Sequence, residues 1–104
     1  MRAVRMALPL VVMLTANAVL AEEAIIHIDN FTFNPAELIV KPGTIVTWIN
    51  GDDIPHTIVE DKTKFRSKAL DTDEKFSMTF TDPGEIGYFC GLHPHMKGKI
   101  IVKP

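Results

Sequence analysis

Residues 88–98, YFCGLHPHMKG, place the chain's one cysteine, Cys90, within six residues of two histidines and a methionine. A thiolate, imidazoles and a thioether gathered in one short loop are soft or borderline donors, the kind that bind a transition metal. Cys90, His93 and Met96 stand at Cys-x2-His-x2-Met spacing, so a loop that wraps around an ion can offer all three. A single tight loop rarely encloses a metal, so a fourth ligand is expected from elsewhere. His56, just after Pro55 in GDDIPHTI, is the candidate. Softness then selects the metal. Structural zinc prefers several cysteines and histidines and gains little from a thioether. Calcium and magnesium want oxygen. Two histidines, one cysteine and a weak axial methionine make a mononuclear type 1, or blue, copper site, which cycles between Cu(I) and Cu(II) and carries single electrons.

Taken singly, these residues have plainer explanations. An isolated cysteine is often a buried thiol, an isolated methionine core packing, and a loop histidine a solvated side chain. Their joint occurrence beside a strand end is what points to copper. Spacing does not choose between His93 and His95, although Pro94 between them restricts their mutual geometry. His27 falls opposite Ile26 and Ile28 in its segment and reads as a surface residue.

The elements that must hold this loop are short and β-rich. Gly, Pro, Asn and Asp recur at regular intervals between segments of Val, Ile, Thr and Phe, which predicts an all-β sandwich or barrel. Strands are expected over 24–28, 37–40, 44–50, 56–60, 75–80, 86–89 and 99–102. In TIVTWIN, Val46 and Trp48 share one face and Ile45, Thr47 and Ile49 the other; in KFSMTF, Phe76, Met78 and Phe80 share a face. Residues 61–74 are polar and irregular, with Phe65 and Leu70 as inward anchors. Seven or eight such strands normally pack as two antiparallel sheets with Greek-key connections.

The 104-residue chain opens with an export leader: Arg2 and Arg5, an apolar run MALPLVVML, and small Val19 and Ala21 before a cleavage point. Removal of residues 1–21 would leave one domain over 22–104, with nine basic residues against 13 acidic and a net charge of −4. Such a chain lacks the basic field that nucleic acid requires, and after cleavage no membrane span is expected. Export places the unpaired cysteine in an oxidising compartment, the periplasm, where it needs something to hold it.

Nearly the whole of residues 22–104 resembles the cupredoxins, the small blue copper proteins, and most of all their amicyanin branch, with the plastocyanin and pseudoazurin branches as relatives. The resemblance lies in FTFNPAELIVKPGTIVTWIN, PHTI and GYFCGLHPHMKGKIIV. It implies a Greek-key β-sandwich, a copper ion held by His56, Cys90, His93 and Met96, and His95 as a nonligating side chain before the methionine. It also implies a function: a periplasmic carrier, not an enzyme, that passes single electrons between transient redox partners, a dehydrogenase and a c-type cytochrome, with a reductase or an oxidase equally open as partner; a monomer is expected. His93 would be the ligand whose ring edge reaches the surface, with Leu92, Pro94, Ile54 and Pro55 forming an apolar rim. The alternative is a copper carrier that delivers metal to a cuproenzyme. Members often carry Asn or Ser after the first histidine, tying the two ligand loops together. Here that residue is Thr57, whose hydroxyl is expected to take the same role.

Overall fold

The computed structural model describes residues 22–104; the leader expected over 1–21 lies outside them. Eight strands follow in order: β1 (Glu23–Asp29), β2 (Thr32–Asn34), β3 (Glu37–Val40), β4 (Thr44–Asn50), β5 (Val59–Glu60), β6 (Lys75–Phe80), β7 (Gly84–Phe89) and β8 (Lys97–Val102). They form two four-stranded sheets, ordered β2-β1-β4-β6 and β3-β8-β7-β5. No helix among the described residues is long and apolar enough to cross a membrane.

Period-2 alternation decides which residues enter the core. Along β4 buried and half-buried residues alternate without a break, and Val46, Trp48 and Asn50 point inward. Ile26 and Ile28 of β1, Tyr88 of β7, and Ile100 and Val102 of β8 complete the interior. Trp48 lies edge-on to Tyr88, with ring centroids 5.3 Å apart, and Phe33 also meets Tyr88 edge-on at 4.8 Å. Phe65, inside the irregular segment, packs on Phe76 and Phe80, and Leu70 is fully buried, as their spacing anticipates.

Two details depart from expectation. The sheets are mixed: β1 runs parallel to β4 and β3 parallel to β8, and every other pairing is antiparallel. From β2 to β7 successive strands alternate between the two sheets, so β1 and β4, and likewise β3 and β8, are joined through a long crossover and run the same way. The strand expected over 56–60 is also shorter. Only Val59 and Glu60 pair with β7, while His56 and Val59 make isolated bridges to Leu70 and Arg66. The segment before β5 is bent by the loop that carries His56, which breaks its regular ladder.

Candidate metal centre

Asn50 closes β4 with its side chain buried inside the following loop. Its amide donates to the carbonyls of Ile54 and Leu70, at 2.9 and 2.8 Å, and its carbonyl accepts the Asp52 N–H at 2.9 Å. This Asx turn folds residues 51–55 back over the strand end. It delivers His56 to the interior, where the ring is fully buried. The His56 backbone exchanges two hydrogen bonds with Leu70, at 3.1 and 2.8 Å, so the residue is fixed by its main chain as well.

Cys90 follows directly on β7 and is also fully buried. The loop from Cys90 to Met96 is closed by its own backbone. Cys90 N–H donates to the Met96 carbonyl at 3.0 Å, His93 N–H to the Cys90 carbonyl at 3.2 Å, and Met96 N–H to the His93 carbonyl at 2.9 Å. The bonds join the three residues of the Cys-x2-His-x2-Met spacing to one another. The loop therefore presents them as a unit, with Met96 buried and His93 half-buried.

The donor atoms converge. One ligand atom each from His56, Cys90 and His93 lies within 4.8 Å of the others. Nδ1 of His56 is 3.6 Å and Nδ1 of His93 is 3.7 Å from the Cys90 sulfur. These separations fit a shared ion. Bonds of about 2.0 Å to nitrogen and 2.3 Å to sulfur, opened to a tetrahedral angle, set the two donors about 3.5 Å apart. The donor set, one thiolate and two imidazoles beside a buried thioether, fits copper better than zinc. His95 is exposed and stands outside the cluster, its ring 6.5 Å from that of His93. His27 is exposed on β1.

Thr57 joins the two ligand-bearing segments. Its N–H points at the Cys90 sulfur from 3.4 Å, and its hydroxyl accepts the Gly91 N–H at 2.8 Å. The space beside Gly91 is filled by the same hydroxyl, 2.9 Å from where a Cβ would stand. Only glycine lets the Cys90 loop approach this closely.

Two residues that the sequence reading did not single out border the site. Asp52 Oδ2 lies at hydrogen-bond distance from His56 Nε2, 2.8 Å, with the Asp52 side chain only 11% exposed. Burial pushes the Asp52 carboxyl up, but the Phe31 N–H, the His56 ring and the Asn30 N–H outweigh it and hold the group below the ordinary carboxylate value. Phe31, in the β1–β2 turn, sets its ring edge-on to His56 and to His93, with centroids 5.6 and 5.1 Å away. The Asn50-x-Asp52 turn was readable from composition; the Phe31 contacts bridge distant parts of the chain and left no local signal.

Comparison with known proteins agrees with this geometry. The profile of a family described as copper binding proteins, plastocyanin/azurin family, matches residues 21–103. Amicyanin from Paracoccus denitrificans is 34% identical over 94 residues, covering 85% of this chain and 72% of the relative. Amicyanin from Paracoccus versutus is 32% identical over 88 residues, covering 80% and 67%. The structure of the Cu(I) form of an amicyanin variant superposes with a TM-score of 0.75 at 30% identity, covering 83% of this chain and 87% of the other.

Proposed function

The chain belongs to the plastocyanin/azurin family of copper-binding proteins, and from that premise we propose that it is a periplasmic electron carrier whose copper is held by His56, Cys90, His93 and Met96. The observation that carries this reading is the convergence of His56, Cys90 and His93 within 4.8 Å, with Met96 buried in the loop that carries the last two. Copper bound there supplies a one-electron couple between Cu(I) and Cu(II).

The protein's part is to hold the donors still and keep water out. His56 and Cys90 are fully buried and Met96 nearly so, which leaves the half-buried His93 as the route to the surface. The backbone bonds of the 90–96 loop and the Thr57 tie fix the donors before any metal arrives, so a change of oxidation state requires little rearrangement. Leu92, Ile54 and Phe31 are exposed, at 51, 37 and 39%. Leu92 adjoins His93, Phe31 touches its ring, and Ile54 belongs to the His56 loop. An apolar patch of this size around a redox outlet suits brief docking with a redox protein. A carrier that hands over its metal would need a more open site than this buried one.

The test is a copper titration of the purified domain, followed by visible absorption and EPR. One equivalent of Cu(II) is expected to give an intense blue band and a narrow copper hyperfine splitting. Both should vanish in Cys90→Ser and persist in His95→Ala. Weak, pale binding, or colour that depends on His95, would overturn the reading.

A further inference from the structure

We propose that Asp52 is a positioning residue for the copper centre: its carboxylate sets the tautomer and ring plane of His56 and anchors the turn that lays Phe31 over both histidines. The inference rests on the reading of His56 and His93 as ligands.

The first half of the argument is hydrogen-bond accounting. His56 is fully buried, so its Nε2 must find a protein partner. That partner is Oδ2 of Asp52, at 2.8 Å. An ionised carboxylate only accepts, so the ring proton must sit on Nε2. Nδ1, which faces the Cys90 sulfur, is thereby left with its lone pair free for a metal. A neutral histidine with the other tautomer would aim a proton at the metal position instead. The carboxylate also makes the imidazole a stronger donor, which favours the more highly charged oxidation state.

The second half concerns the β1–β2 turn. Oδ1 of Asp52 accepts the Asn30 N–H at 2.7 Å, and Oδ2 accepts the Phe31 N–H at 3.0 Å. Both residues hold left-handed backbone angles, φ 50° and 59°. That conformation is uncommon for any non-glycine residue and a true outlier for one as bulky as phenylalanine. The two hydrogen bonds to Asp52 hold the turn there. The result is an aromatic ring set against His56 and His93 together. Asp52 is itself well braced: its N–H donates to Asn50 and its carbonyl accepts the Thr72 hydroxyl at 2.7 Å. One carboxylate thus connects a buried ligand, the aromatic cover over the site and the loop that delivers the ligand.

The experiment compares wild type, Asp52→Asn and Asp52→Glu. In the metal-free wild type, nitrogen NMR of the His56 ring at mildly alkaline pH should show the Nε2–H tautomer with a slowly exchanging proton. In Asp52→Asn the slow exchange should be lost, Cu(II) affinity should fall by about 10- to 100-fold, and Asp52→Glu should recover part of it. Cu(I), less dependent on a strong donor, should lose less. A tenfold difference between the two losses raises the reduction potential by about 59 mV. An Nδ1–H tautomer in the wild type overturns the proposal, even if Asp52→Asn does not fold. So does a folded Asp52→Asn with unchanged affinity and potential. Failure of the wild type to bind copper would instead overturn the ligand reading, and the metal-free tautomer would still decide what Asp52 does.

Discussion

The hydroxyl of Thr57 accepts the backbone N–H of Gly91 across 2.8 Å, and this bond, beside the Thr57 N–H directed at the Cys90 sulfur, fastens the segment that carries His56 to the loop that carries Cys90, His93 and Met96. Thr57 and Gly91 lie 34 positions apart in the chain and directly flank His56 and Cys90. Replacing Thr57 by Ala leaves a loop N–H without its acceptor. Urea unfolding of the metal-free protein should register a loss of about 1 kcal/mol. Thr57→Ser, which keeps the hydroxyl, should retain most of the stability; equal losses in both variants would show that the methyl group, not the bond, matters.

The glycines of β7 and β8 make a second, contrasting prediction. Gly98 lies opposite Tyr88, and a Cβ there would run into the tyrosine ring, which Trp48 and Phe33 hold in place. Gly98→Ala should cost about 1–3 kcal/mol through overpacking. At Gly87 the nearest obstacle is the Asp61 carboxylate, an exposed side chain free to swing away. Gly87→Ala should stay within about 0.5 kcal/mol of wild type. Thermal denaturation of the two variants side by side is sufficient; a reversed order would contradict the packing described here.

Tyr88 gives a prediction in pH. It is the chain's one tyrosine. Its hydroxyl is buried without a hydrogen-bond partner among the described residues, and burial pushes its pKa from 10.0 up to about 12. The unfolded chain therefore releases this proton at lower pH than the fold does. Stability is intact below pH 10 and declines as pH rises toward about 12, by about 2–3 kcal/mol in all. Absorbance of the phenolate should show no titration at the ordinary value and should rise together with loss of near-ultraviolet circular dichroism. A tyrosine that ionises near pH 10 in a still-folded protein would contradict its burial.

The apolar patch predicts the rate of electron exchange between two copies of the protein, one Cu(I) and one Cu(II), measured by NMR line broadening. Leu92→Glu removes exposed apolar surface beside His93 and sets like charges against each other in the encounter. Exchange should slow by about tenfold or more while the absorption spectrum is unchanged. An unaltered rate would move the outlet away from this face.

The sequence made the strand segments and the cluster of candidate ligands legible because both obey short-range rules. Alternation marked Val46 and Trp48 as inward, and Cys90, His93 and Met96 announced themselves by spacing within one loop. Its limits were equally physical. Parallel pairing of β1 with β4 follows from how distant segments cross between sheets, which no local pattern records. The bond from Asp52 to His56 lies in an irregular loop with no period to reveal it, and Phe31 reaches the site from the β1–β2 turn through an unusual backbone conformation. The tie from Thr57 was anticipated by family resemblance, and the structure supplies it.

The parallel pairing of β3 with β8 sets a timetable for the thiol. Glu37 finds its partner only at Lys99, so β3 joins the second sheet only once β8 is in place, and such non-local closure is slow. Until β8 docks, the sandwich that buries Cys90 is incomplete. During that interval the sulfur is open to oxidants, as it never is once the sandwich has shut. The vulnerable moment for this protein is its assembly, and the yield of intact thiol will depend on how quickly the final six-residue strand docks.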